Sequence, residues 1–176
     1  MAVHIIIDGY NLIKQSPELS RLDRIDMEKG RDELISRLSS YKKIKKHKIT
    51  VVFDGCKGGG LKQERTKNKG ISIIFSKKGE EADDVIKSSV EAMREKMVVV
   101  TSDREIVAFS EKRGTAVIPS GEFEMKMEMA TFSADKGVDE DYYDEPVKET
   151  IHTKKKGPAR RLKKSIRRHN RKIEKL

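Results

Sequence analysis

The chain has one cysteine, Cys56, in 176 residues. A single thiol can build neither an internal disulfide framework nor a thiolate zinc site. Tryptophan is absent and aromatic residues make up only 5% of the chain. No apolar run reaches the roughly 20 residues that a membrane span needs, and the opening run, 1–7, is cut short by Asp8. There is no charged leader before that run and no cleavage site after it, so a cytoplasmic protein without a membrane partner is expected. Apolar residues are only 35% of the total, whereas charged residues reach 39%, well above the usual quarter. Such a balance implies one compact domain with solvated extensions.

The net charge of +10 is unevenly placed. Residues 154–176 hold twelve Lys or Arg and one Glu; removing them from the totals of 39 and 29 leaves 27 basic and 28 acidic residues in the body. The tail supplies the whole excess, and charge confined to one end reads as an interaction segment. Lys154, Lys155, Lys156, Arg160, Arg161, Lys163, Lys164, Arg167 and Arg168 are the candidate contacts for RNA phosphates. Its apolar positions, Leu162, Ile166, Ile173 and Leu176, are spaced as one sparse helix face. Mutual repulsion is expected to leave the segment disordered until a polyanion neutralises it, and helical once bound. The stripe has no Trp or Phe, which argues against a membrane-surface helix.

The body alternates two kinds of segment. Near-continuous apolar runs at 3–7, 49–53, 71–75, 97–100 and 115–118 predict five strands buried on both faces. Helical periodicity predicts helices over 27–45, 80–96 and 103–112, and composition favours another over 121–130. Strands separated by helices imply right-handed crossovers and a parallel sheet, hence a three-layer α/β fold. The expected organisation is a domain over 1–134, an acidic loop and linker over 135–153, and the basic tail.

Acidic residues close the strands. The first ends in Asp8, the second in Asp54, and the fourth runs through Thr101 and Ser102 to Asp103. In a parallel sheet these carboxyl ends share one edge, where ligands bind. On the helix over 80–96, Asp83 lies about 65° from the centre of the apolar stripe and Asp84 about 165° away, taking 100° per residue. Asp83 can therefore reach the sheet edge, and Asp84 faces water. Clustered carboxylates repel one another, and a hard divalent cation with all-oxygen ligation, Mg²⁺ or Mn²⁺, would relieve that cost. The competing reading is that each strand-end Asp is a turn former or helix cap. Asn11 fits either a cap or a site role. Gly58–Gly60 lacks the Gly-Lys-Ser/Thr ending of a phosphate loop. His4 and His47 receive no role, and for Cys56 a structural role is the default over a reactive one.

The stretches IIIDGYNLI, VVFDG, EEADDVI and VVVTSDREI, in this order, resemble the NYN domain of the PIN-like nucleases, nearest its bacterial YacP-type branch. The resemblance covers about 2–130, and the basic KKKGPARRL segment is similar to the tail of some members. It implies a Rossmann-like sheet, one or two Mg²⁺ or Mn²⁺ ions, endonucleolytic RNA cleavage and, in some members, a ribosome-linked role. Carried over, Asp8, Asp83 and Asp103 match the acidic core, and Asn11 and Asp54 its accessory positions. Relatives often have another acid after the last Asp; here Glu105 is only a loose match. Two other functions stay open: a non-catalytic RNA- or ribosome-binding module, and a phosphatase of the haloacid dehalogenase type. The latter needs a second acid two residues after its Asp, where this chain has Tyr10 and Cys56.

Overall fold

In a computed structural model, residues 2–55, 62–93, 97–135 and 164–176 are described. Six strands form one sheet: β1 (His4–Asp8), β2 (Lys48–Phe53), β3 (Glu64–Asn68), β4 (Ile71–Phe75), β5 (Met97–Val100) and β6 (Ala116–Ile118). Seven helices are described: α1 (Gly9–Gln15), α2 (Pro17–Ile25), α3 (Met27–Lys45), α4 (Ala82–Met93), α5 (Arg104–Lys112), α6 (Ser120–Asp135) and α7 (Lys164–Ile173). The sheet order is β3-β4-β2-β1-β5-β6. The five expected strands are β1, β2, β4, β5 and β6, all joined in parallel. The sheet of about five strands gains a sixth, β3, antiparallel to β4.

β3 escaped the sequence reading because every residue of ERTKN is exposed, so it carries no apolar signal. It hairpins onto β4 through Lys69-Gly70, both at positive φ (48° and 82°), the twist a two-residue hairpin turn requires. Helices α1 and α2 were also unannounced, although Ser16-Pro17 is a cap residue followed by a first-turn proline. Ser16 accepts the Leu19 N–H at 3.4 Å and so starts α2.

Strand alternation creates two cores. Ile5, Ile7, Val51, Phe53, Val98 and Val100 face one side and pack with Leu12, Leu34, Leu38 and Phe123 of α1, α3 and α6. Ile6, Val52, Val99 and Val117 face the other and pack with Ala82, Val85, Ile86 and Ile106 of α4 and α5. Asp8 shares the parity of Ile6 and therefore belongs to the α4 side.

The C-terminal end differs from a free tail. The Tyr41 hydroxyl donates to the Leu176 carbonyl. His47 Nε2 lies 3.0 Å from the Lys175 carbonyl, and Leu176 is buried in the α3-side core. Lys164–Ile173 are thus helical and the end of the chain is docked, because Ile173 and Leu176 find apolar partners on the body. The expected tail was disordered or helical on binding; of its described part, 164–173 is helical. Lys154, Lys155, Lys156, Arg160, Arg161 and Lys163 lie outside the described residues, as do the acidic loop, Cys56 and Gly58–Gly60.

Candidate functional site

The chain passes from β1 to β2 on one side and from β4 to β5 on the other, so connections diverge about β1. Such a switch point opens a crevice at the carboxyl ends of the strands. Asp8 and the β5–α5 turn flank it.

Each strand-end Asp caps a helix. Asp8 Oδ1 accepts the Asn11 N–H at 3.1 Å and starts α1. Asp54 Oδ1 accepts the Ala82 N–H at 2.6 Å at the start of α4. Asp103 Oδ1 accepts the N–H groups of Glu105 and Ile106 at 2.8 and 3.2 Å, capping α5. The bland reading of these acids is correct but incomplete, since each cap engages only one oxygen. Asp8 Oδ2 accepts the Thr101 hydroxyl at 3.2 Å. The second oxygens of Asp54 and Asp103, and both of Asp83, accept no hydrogen bond among the described residues. Gly9 is required beside Asp8: a Cβ there would stand 2.3 Å from the Phe53 ring.

The acids sense one another. Burial pushes the Asp8 carboxyl up to about 6, opposed by its Asn11 and Thr101 hydrogen bonds and reinforced by Asp83 and Asp54. Asp83 is raised as well, by burial first and then by Asp103. Asp83 is half-buried and Asp84 exposed, with Asp84 Oδ2 turned back to the Glu81 N–H at 3.2 Å. The helix-wheel distinction between the two is therefore realised. Glu105 turns outward and pairs with Lys87 on α4, leaving the cluster without it.

Among the described residues, no three carboxylate, His or Cys groups stand close enough to chelate a cation as placed. Mutual repulsion and the caps that hold Asp8, Asp54 and Asp103 account for the open arrangement. By chemistry the donors still fit a hard divalent ion: all are oxygens, one is buried against its preference, and Asp83 accepts no hydrogen bond among the described residues.

Asn11 joins three segments. Its Oδ1 accepts the Ser102 N–H at 2.9 Å and the Ser120 hydroxyl at 2.8 Å. Ser102 Oγ accepts the Ser120 N–H at 3.1 Å. This lattice ties α1, the β5–α5 turn and the start of α6 together and fixes where Asp103 begins. Sequence reasoning missed Ser102 and Ser120. The signal was the polar pair Thr101-Ser102 between an apolar strand and a capping Asp. Of the basic candidates, Lys164, Arg167 and Arg168 lie on α7, and Arg167 is exposed.

The family model of the YacP-like NYN domain matches residues 5–175. The chain belongs to the YacP-like NYN family. Its match runs through α7, so the docked C-terminal helix is part of the family's domain. The uncharacterized protein YacP of Bacillus subtilis (strain 168) is 33% identical over 102 residues, 56% of this chain and 59% of that relative. The alignment therefore spans little more than half of the relative's length. Two crystal structures of Rae1 (YacP) from Bacillus subtilis share the fold. One, of a point mutant, has a TM-score of 0.66 at 25% identity, covering 77% of this chain and 80% of that one. The other has 0.63 at 27%, covering 78% and 80%. The family places the chain among nuclease-type, RNA-related domains. Among the described residues, no helix is long and apolar enough to cross a membrane.

Proposed function

We propose that this YacP-like domain is a metal-dependent endoribonuclease that acts on RNA, with the ribosome as a candidate setting for the cut. The supporting observation is Asp8, a carboxylate buried at the switch point with Asp83 and Asp54 raising its affinity for positive charge. Asp8, Asp83 and Asp103 would hold one or two Mg²⁺ or Mn²⁺ ions, with Asp54 at the margin. When bound, such ions supply a nucleophilic water at neutral pH and a counter-charge for the leaving oxygen. The chain's own groups arrange the site. Thr101 orients Asp8. Asn11 and Ser120 fix the Ser102 backbone ahead of Asp103. The amide NH₂ of Asn11 has no partner among the described residues and can donate to a phosphate oxygen.

No histidine belongs to this constellation, so cleavage should proceed by water attack and leave a 5′-phosphate. A labelled single-stranded RNA incubated with Mg²⁺, Mn²⁺ or chelator, followed by end-group analysis, tests this. Metal-dependent cuts with 5′-phosphate ends are expected; 2′,3′-cyclic phosphate ends or cutting in chelator would refute it. RNA binding without any cleavage would instead favour the binding-module reading, which the basic C-terminal segment supports by itself.

A further inference from the structure

On the other side of the same sheet edge lies a group that the proposed chemistry does not use. Phe53 and Asp54 are consecutive, so the α3 side of the edge begins where the carboxylates end. Phe53 stacks on Phe75, the last residue of β4, at 5.7 Å between ring centres, and meets Tyr10 edge-on at 5.1 Å. The Tyr10 hydroxyl reaches Met27 Sδ at 3.0 Å, which brings the first turn of α3 to this edge. One turn along that helix, the Arg31 guanidinium stands over the Phe75 ring, 5.6 Å from its centre.

Among the described residues Arg31 is uncommitted. The guanidinium of Arg37 is paired to Glu18 and Glu33, that of Arg113 to Glu91, and the Lys87 ammonium to Glu105. Arg31 forms no ion pair or hydrogen bond among the described residues. Its Nε is one of three buried side-chain polar atoms there without any partner. The other two are Asp23 Oδ1 and Ser110 Oγ, and Asp23 packs beside Gly30, so the inner edge of the guanidinium faces the protein. The outer Nη groups are not among the buried atoms and make no hydrogen bond among the described residues, so they are the ones able to take an anionic acceptor beside the aromatic face.

We infer that Arg31, supported by the Phe75 ring, binds a backbone phosphate of a single RNA strand that crosses the sheet edge from the carboxylates to the α3 side. This rests on the ribonuclease reading for the ligand's class and adds a positioning contact to it. A guanidinium suits the role: its planar fork grips phosphate oxygens, and its outer face can take a base stacked on it. It also answers an electrostatic problem, because an acid-lined edge repels a polyanion and needs a fixed cation beside it.

The test measures affinity for a single-stranded RNA of about a dozen nucleotides across a salt series. Full-length Asp103→Asn protein serves as the background, so that the RNA is not consumed. Losing one phosphate contact should flatten the slope of log affinity against log salt by about 0.7 and weaken low-salt binding roughly tenfold. Arg31→Gln should show both changes. Arg31→Lys should keep most of the slope, and Phe75→Leu should weaken binding while leaving the slope in place. A merely structural Arg31 would lower the melting temperature of Arg31→Gln without moving the slope. An unchanged slope in Arg31→Gln overturns the inference even where the wild type cleaves RNA. A changed slope in a chain that never cleaves would keep Arg31 as an RNA contact and overturn the ribonuclease reading alone.

Discussion

Thr101 joins the two central acids: its hydroxyl donates to Asp8 Oδ2 at 3.2 Å and accepts the Asp103 N–H at 3.1 Å. Asp8 ends β1 and Asp103 follows β5, so one fully buried side chain sets the relative position of both. Thr101→Val keeps the shape but removes both hydrogen bonds. It should cut the rate of RNA cleavage at saturating substrate by at least tenfold with little change in RNA affinity, as steady-state kinetics on a labelled RNA would show. Thr101→Ser should recover most of the rate.

Asp8→Asn and Asp103→Asn should each abolish cleavage but differ in stability. With its carboxyl raised to about 6, Asp8 holds its proton more tightly folded than unfolded. Stability is therefore lost as pH rises from the ordinary carboxylate range through 6. In chelator at pH 8, Asp8→Asn should melt higher than the wild type, by a free energy of order 1–3 kcal/mol. The gain should disappear near pH 4, where the wild-type carboxyl is protonated. Asp103→Asn keeps the α5 cap, since an amide oxygen also accepts from Glu105 and Ile106, and loses only the favourable charge at the helix start; its melting temperature should stay close to that of the wild type. Thermal melts across pH, without metal, separate the two.

Asp83 and Asp84 are adjacent and chemically alike, yet Asp83 is half-buried with its carboxyl raised by burial and by Asp103, whereas Asp84 is exposed and accepts the Glu81 N–H. Asp83→Asn should lower cleavage by two orders of magnitude or more, and Asp84→Asn by less than threefold. A titration of activity against Mn²⁺ for both variants checks the contrast.

His4 carries the opposite pH signature. Burial, aided by Lys48, lowers its pKa to about 4 while its ring contacts Thr50 and Met93. The unfolded chain binds a proton near 6.5 that the folded chain refuses. Stability from this group is complete above 6.5 and lost as pH falls toward 4. Across pH 4–6 this loss opposes the gain from Asp8, so the wild type should look insensitive to acid. His4→Leu should leave the Asp8 slope exposed, and melting temperature should then rise on acidification over that interval.

The strands and the acids were legible because both carry strong local signals. The apolar runs ending in Asp8, Asp54 and Asp103 give the parallel sheet and the edge on which these residues gather, and the Asp83 wheel position survives folding. What stayed hidden depends on tertiary context. β3 is polar throughout and is recruited by its hairpin partner. The C-terminal segment looks soluble by charge, yet Leu176 enters a core built mostly from residues 3–130. The role of Asn11 depends on Ser120, more than a hundred residues away.

That docking alters what a truncation means. Deleting 154–176 removes Leu176 and the acceptors of Tyr41 and His47, so the loss of RNA binding would be mixed with unfolding. Leu176→Ala alone should cost about 2–4 kcal/mol, read from chemical denaturation. Arg167→Gln with Arg171→Gln, both exposed on α7, should leave stability unchanged and flatten the salt dependence of RNA affinity.

The most direct test of the acidic edge is calorimetric titration of Mn²⁺ into the wild type, Asp8→Asn/Asp103→Asn and Asp84→Asn. Saturable binding of one or two ions is predicted for the wild type and for Asp84→Asn, and its loss for the double variant. Equal binding by all three, or none by the wild type, would contradict a cation site at these strand ends.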